Sequence, residues 1–373
     1  MRNISLFLGT LLILQTFSPC SRAQERKEIA LPDILGYQTL KCDFHVHTVF
    51  SDGDVWPTTR VQEAWLEGLD AIAITDHIEY RPHAGDIEAD HNRAYEIAKP
   101  LAEQLGIILV RGTEISREMP PGHLSALFIK NANLLEREAW WEACVEARDQ
   151  GAFVIWNHPG RKAQQPDTTR WWPEHSRLTT AGIMRGIELY NGQEYYPEVL
   201  KWADEQNLTV FAASDLHTPS SMLTGNGQRR RPLTLVFTAD RSEEALRQAL
   251  DEGRTAACFG DTIIGQRRFL SPIFLGSLKL YGNPGRLKNH GIKTVRLHNA
   301  SDISFLLTRR QPPVGFSGPE QIRLKAHSTV LISLEGISEE VASMSSLKLF
   351  YTVRNLISLK GEPLPVNLEI PNR

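Results

Sequence analysis

Six histidines and three acids within the first 217 of 373 residues could do chemistry together. Most stand where an apolar run ends. Residues 40–47 close on Asp43-Phe-His45-Val-His47, with Asp52 just beyond. Residues 71–75 lead into Asp76-His77, and 107–110 into Arg111-Gly-Thr-Glu114. Residues 152–156 lead into Asn157-His158-Pro159, and 209–213 into Ser214-Asp215-Leu-His217. His123 departs from the rule, because it opens the run 124–129. Mixed imidazole and carboxylate donors suit Zn²⁺, Mn²⁺ or Fe²⁺. His45 and His47 are two apart on a strand, so both point to one face; Asp215 and His217 share that spacing.

One such histidine would ordinarily be a hydrogen-bonded core residue. Six of them with three acids need cations before they can be buried together. About four to six donors complete one ion's shell. The set therefore implies two or three divalent metal ions (Zn, Mn or Fe). Clustered cations sharing an oxygen turn water into a hydroxide nucleophile and clamp a phosphoryl group. No catalytic group beyond that metal-bound hydroxide is expected. The sequence has no Gly-x-Ser-x-Gly elbow, no Gly-rich phosphate loop with Lys and no Gly-x-Gly-x-x-Gly.

The elements that must position these groups alternate. Seven apolar, β-branched runs (40–47, 71–75, 107–110, 124–129, 152–156, 186–190, 209–213) are separated by helical patterns such as 59–66, 87–104, 135–150, 196–206 and 243–252. Strands alternating with helices predict a parallel sheet covered by helices, and seven units suit a barrel better than an open sheet. Strand ends of such a barrel converge on one face. All eight tryptophans lie between Trp56 and Trp202. After about residue 270 short alternating runs separated by Gly, Pro, Asn and Ser take over, which predicts a small antiparallel sandwich without a chemical cluster.

Arg2, the apolar run 4–14 and the small residues Ser21 and Ala23 predict a secretory signal over 1–23. Its apolar core is too short to span a bilayer. Cleavage would remove Arg2 and Arg22 and no acids, moving the net charge from −3 to −5. Three sparse cysteines (Cys42, Cys144, Cys258) would remain, which is no disulfide framework. With 41 Lys+Arg against 44 Asp+Glu, no nucleic-acid polymer is expected as partner.

In order along the chain, His45-Val-His47…Ser51-Asp52-Gly53, Asp70-Ala-Ile-Ala-Ile-Thr-Asp76-His77, Gly112-Thr-Glu114, Gly122-His123, His158-Pro159-Gly160-Arg161 and Asp215-Leu216-His217 resemble the motifs of the polymerase-and-histidinol-phosphatase (PHP) family of metal-dependent phosphoesterases. The resemblance covers most of 40–265 and implies an α/β fold, a distorted seven-stranded (β/α) PHP barrel. It places one ion with His45, His47, Glu114 and Asp215. A second would share Glu114 and add His123 and His158, and a third would take Asp52, His77 and His217. Asp76 would orient His77 or a neighbouring strand end from behind the ligands. Arg161, and more weakly Arg117, would bind the substrate phosphate. Trp171-Trp172 and Tyr195-Tyr196 could line a leaving-group pocket or simply pack. His83 and His91 read as surface histidines ahead of a lid or a general acid.

The sequence thus describes a signal peptide (1–23), a PHP metal-dependent phosphoesterase domain (24–270) and an Ig-like β-sandwich (271–373). The expected activity is hydrolysis of a small phosphodiester or phosphomonoester by an exported enzyme, periplasmic or secreted, with no transmembrane span after cleavage. An amidohydrolase-like metal hydrolase and a non-catalytic, metal-stabilised binding protein are the alternatives. Natural substrate and oligomeric state stay open.

Overall fold

A computed structural model describes residues 24–87, 90–223, 231–282 and 285–373; the expected signal segment 1–23 lies outside them. The first part runs β1 (Gln38–Val46), α1 (Pro57–Leu66), β2 (Ala71–Ile74), α2 (Arg93–Leu105), β3 (Ile108–Ile115), β4 (Leu124–Leu127), α3 (Trp140–Asp149), β5 (Phe153–Trp156) and α4 (Pro173–Thr180). It continues with β6 (Met184–Asn191), β7 (Glu194–Tyr195), α5 (Glu198–Gln206), β8 (Thr209–Ala213), α6 (Ser220–Leu223), β9 (Leu233–Thr238), α7 (Glu243–Asp251), β10 (Thr255–Phe259), β11 (Thr262–Gly265) and α8 (Arg267–Ser277).

The helix boundaries have local causes. Pro57 opens α1 at a position where its missing N–H costs nothing. The Ser242 hydroxyl accepts the Ala245 N–H at 3.0 Å and caps α7. Strands β2, β5, β8 and β9 are buried at every position. Helices cover one face, and the other packs on facing strands. Leu40, Phe44, Ala73, Val110, Phe153 and Phe211, drawn from β1, β2, β3, β5 and β8, share one core cluster. Phe211 meets Phe44 and Phe153 edge-on at 5.7 and 5.8 Å.

Two departures from the sequence expectation bear on the site. First, β4 runs antiparallel to both β3 and β5, whereas the other neighbours along β1-β2-β3 and β5-β6-β8 pair in parallel; the two-residue β7 is an antiparallel spur on β6. A reversed strand begins where its neighbours end. That is why His123, at the start of its run, faces the same way as residues that finish theirs.

Second, the hydrogen-bonded order is open and the expected closed seven-stranded barrel does not appear as a ladder. Between β8 and β1 there is one bridge, Val46 with Leu216. It is flanked by Asp215 N–H donating to the His45 carbonyl and His47 N–H donating to the Leu216 carbonyl, both at 2.9 Å. Arg60, fully buried on α1, reinforces this seam. Its guanidinium donates to the carbonyls of His47, Leu216, His217 and Thr218 at 2.8–2.9 Å.

The C-terminal part adds β12 (Leu278–Gly282), β13 (Ile292–Asn299), β14 (Phe305–Arg309), β15 (Phe316–Ser317), β16 (Gln321–Leu324), β17 (Thr329–Gly336), β18 (Ser346–Ser358) and β19 (Pro363–Pro371). One sheet has the order β12-β13-β17-β15; β16, β14, β18 and β19 form the other. Burial alternates along β13, β17 and β19, as in a two-layer sandwich with one face in water. This part is not hung on a linker. β18 pairs in parallel with β11, Ile263 to Leu356 through Gly265 to Ser358, so one fifteen-stranded sheet crosses both parts. Phe269, Leu270, Ile273 and Phe274 of α8 bury into a core shared by the two.

Cys42, Cys144 and Cys258 are buried thiols. Among the described residues no helix is long and apolar enough to cross a membrane.

Candidate metal centre

The nine sequence-predicted side chains converge at one mouth of the sheet. His45 ends β1, and the Nε2 atoms of His45 and His47 reach to 3.2 and 3.1 Å from Asp215 Oδ1. Glu114, on β3, is at the middle. His77 Nδ1 lies 2.7 Å from its Oε2 and His123 Nδ1 3.1 Å from its Oε1. The Nε2 atoms of His45, His158 and His47 lie at 3.5, 3.5 and 3.6 Å from Glu114. Asp52 gathers the outer side, with His217 Nε2 at 3.3 Å and His77 Nε2 at 3.5 Å.

Four overlapping groups have donor atoms within 4.8 Å of one another: His45/His47/Glu114, His45/His158/Asp215, His77/Glu114/His123 and His47/Asp52/His77/His217. The partition differs from the resemblance at three histidines: His77 belongs to both the Glu114 and the Asp52 groups, His47 joins the Asp52 group as well as that of His45 and Glu114, and His158 falls with His45 and Asp215 instead of with Glu114 and His123. His45, His47, Glu114 and His158 are fully buried; Asp52, His123 and His217 form the rim that meets solvent.

The backbone here is bent to the task. His158 and Asp215 have φ of 31° and 53°, in the left-handed region that non-glycine residues avoid. Asp215 has just left β8, and its turn aims the carboxylate back across the seam at His45 and His47.

Of the two roles expected for Asp76, its hydrogen bonds serve the neighbouring strand end, the loop after β1. Its carboxylate accepts the Thr48 N–H, the Thr48 hydroxyl and the Ser51 hydroxyl at 2.6–2.7 Å, pinning the loop that carries Asp52. Ser116 Oγ lies 2.5 Å from His77 Nδ1.

Arg161 is 43% exposed at the rim, its nearest acid being Asp215 Oδ2 at 3.9 Å. Arg117 is engaged elsewhere: it pairs with Glu79 at 2.6 Å and donates to the Arg137 carbonyl. Trp171 packs with Trp156 and Trp202, and Tyr195 stacks on Tyr190 at 4.9 Å. His91 lies 3.5 Å from Glu136, away from the ligand groups.

Sequence reasoning passed over Glu188 on β6, which accepts from His45 at Nδ1 and from the His158 N–H. An acid inside the apolar run Gly186-Ile-Glu-Leu-Tyr190 was its only trace. Asn157 was visible as a run end, yet its role was not: its amide donates to Glu114 Oε1 at 2.7 Å. Arg60 gave no signal on a helix.

Electrostatics describe a site waiting for positive charge. Burial by itself would raise Glu114, but His77, His123 and His45 outweigh it and hold the carboxyl well below the usual range. Asp215 behaves likewise, burial opposing and the imidazoles of His45 and His47 prevailing. Burial and the neighbouring His77 push His47 down to about 3. His77 rises to about 9, since Glu114 and Asp52 overcome its burial.

Despite this crowding, His45 Nε2, His47 Nε2, His158 Nε2 and Asp215 Oδ1 are buried without a hydrogen-bond partner. Orphaned polar atoms are costly unless something else binds them. All four are metal-ligand atoms, and the residues fit a cluster of divalent ions.

The comparisons agree with this geometry. The PHP domain family matches residues 43–154, and an Ig-like domain family matches 278–369. A solved two-domain protein from Bacteroides vulgatus, containing a predicted PHP-like metal-dependent phosphoesterase, is 41% identical. The alignment covers 94% of this chain and 100% of that one, with a TM-score of 0.87. An uncharacterized protein of Methanocaldococcus jannaschii is 27% identical over 218 residues, 56% of this chain and 95% of its own. A 5′-3′ exoribonuclease of Haemophilus influenzae is 33% identical over 78 residues, 21% of this chain and 24% of its own. With His-x-His, Glu114 and Asp-x-His gathered at one mouth and a close two-domain relative matched end to end, this chain belongs to the PHP family.

Proposed function

We propose that this protein is an exported, metal-dependent phosphoesterase that hydrolyses a small phosphodiester or phosphomonoester. The observation that carries this is the set of four orphaned ligand atoms, on His45, His47, His158 and Asp215, facing one another in a buried mouth. Divalent ions held by the nine residues would supply acidified water and offset the charge of a phosphoryl group.

The protein's own residues do the rest. Glu114, central to the imidazoles and common to the His45/His47 and His77/His123 groups, would help to hold the ions. The buried walls exclude bulk water, which strengthens every charge interaction inside. Arg161, exposed at the rim and only loosely paired with Asp215, is free to reach a phosphate oxygen. Residues 24–270 would form the catalytic part and 271–373 the Ig-like part. The basic start, apolar core and small residues of 1–23 support export, which the N-terminus of protein from the native host would test.

The functional test is metal analysis of purified protein with a substrate panel of bis-p-nitrophenyl phosphate, p-nitrophenyl phosphate and a short oligoribonucleotide. Two or more ions per chain and chelator-sensitive turnover of an aryl ester are expected. At most one ion, or no turnover of any phosphoester, would overturn the proposal. Turnover confined to the oligonucleotide would overturn the small-substrate part of it.

A further inference from the structure

Glu188 lies on β6, across the mouth from β1, and is buried. Three donors meet its two oxygens. His45 Nδ1 is 2.7 Å from Oε1. The His158 backbone N–H is 2.7 Å, and the Asn191 side-chain amide 2.9 Å, from Oε2. Two of the three belong to candidate metal-ligand residues, one on β1 and one in the turn after β5. A carboxylate can only accept, so it selects the His45 tautomer with the proton on Nδ1. That leaves Nε2 as the atom to ligate an ion, and it lies 3.2 and 3.5 Å from Asp215 and Glu114 with no hydrogen-bond partner. The same carboxylate holds the peptide of His158 at its φ of 31°.

We infer that Glu188 is a positioning residue of the metal centre, orienting His45 through Nδ1 and anchoring the His158 turn. The inference rests on the metal-dependent reading above and deepens it. Glu188 serves only part of the cluster. His45 and His158 occur in the His45/His47/Glu114 and His45/His158/Asp215 groups, and neither occurs in His47/Asp52/His77/His217. Loss of Glu188 should therefore be felt unequally. Glu188→Gln keeps the shape but offers one acceptor oxygen and an NH₂ group. At least one of the three donors would then face another donor.

The test is a Zn²⁺ and Co²⁺ titration of chelator-stripped protein, comparing wild type, Glu188→Gln, His45→Ala and the double variant. Thermal unfolding of each metal-free protein serves as the folding control. Glu188→Gln should weaken one class of ion by about 10–100-fold, the usual cost of removing a carboxylate behind a ligating histidine. The ion beside Asp52 should bind as in wild type, and the Co²⁺ absorption spectrum should change shape accordingly. In the His45→Ala background the same substitution should cost less than about threefold, because its main route is already gone. Equal losses in both backgrounds, uniform weakening of every ion, or normal loading of Glu188→Gln beside normal wild type would each overturn the inference alone. Wild type that takes up no Zn²⁺ would overturn the metal-dependent reading, and this inference with it.

Discussion

Two buried carboxylates in the same sheet are treated in opposite ways. Asp70, just before β2 and at the end of the sheet away from the mouth, is met by Lys41 at 2.8 Å, Arg241 at 2.9 Å and Arg26 at 3.3 Å. Lysine and arginine bring positive charge of their own and are not metal ligands. Glu114 is met by five imidazoles and an asparagine. Imidazole compensates an acid only when protonated, and it gives up that proton to bind a metal. The base acid is neutralised for good by the chain itself. The mouth acid is left to groups that would serve better as ligands. A buried acid ringed by strong cations is a structural device, whereas one ringed by histidines marks a site completed from outside.

Several substitutions can break that contrast. The largest effect belongs to Glu114→Gln, which keeps the size and removes the charge offsetting the ions. Turnover of an aryl phosphodiester should fall by about 10²–10³-fold, the range for losing a key electrostatic group, with metal content reduced. Asp70→Asn, by contrast, should leave turnover per folded molecule and metal content unchanged. Equal metal loss in the two variants would erase the distinction.

Arg60→Met comes next. It removes the side-chain donor from four carbonyls at the seam where the β8–β1 ladder lapses; those of Leu216 and His217 keep a backbone donor, from His47 and Asp54, and those of His47 and Thr218 lose theirs. At about 1–3 kcal/mol for each of the two carbonyls left unsatisfied, urea unfolding should show a loss of about 2 kcal/mol or more. A loss under about 1 kcal/mol would mean that the single Val46–Leu216 bridge holds the seam unaided.

Removing metal sharpens the contrast by region. With ions at a hundred times their Kd, chelation should cost about 2.7 kcal/mol of stability for each ion removed. Hydrogen exchange should quicken around His45–Asp52, Glu114 and Asp215–His217. Strands β13 and β17 should be unaffected, since among the described residues every candidate metal group lies at the mouth.

The smallest effect is on pH dependence. Burial alone would raise the Asp70 carboxyl, yet Lys41 and Arg241 lower it below its ordinary 3.8. Its stabilisation is therefore present above pH 3.8 and is lost as the pH falls through the folded-state value. Asp70→Asn should flatten that acid limb of the stability curve. An unchanged limb would show that these ion pairs do not contribute.

Much of this was legible before any coordinates. The all-buried strands read as continuous apolar runs, and β13, β17 and β19 as alternating ones, because two-sided and one-sided burial leave different periods in sequence. The ligands were legible because metal chemistry demands residue types that an apolar strand end would not otherwise carry. Strand direction was not: 124–129 reads alike either way, and only His123 at its start hinted at the reversal. The antiparallel strands β9, β10 and β11 lacked the run-then-ligand signature and passed unremarked. Helix α2 begins at Arg93, not near residue 87, because His91 and Asn92 just before it form a turn. Arg117 looked available three residues after Glu114, but its pairing with Glu79 crosses between strand ends and leaves no local mark. Glu188 was invisible for the converse reason: one acid in an apolar strand has no spacing to give it away.

The parallel pairing of β11 with β18 also sets a timetable for synthesis. Gly265 waits for Ser358, which emerges 93 residues later. At about 5–20 residues per second the interval is roughly 5–20 s. During it the strands that build the mouth are already made, while the outer edge of β11 stands unpaired, a template for the wrong neighbour. A chain halted anywhere between 266 and 355 would hold every ligand and still carry that open edge. Shortened forms of this protein should be lost first to aggregation, before any loss of chemistry could be measured.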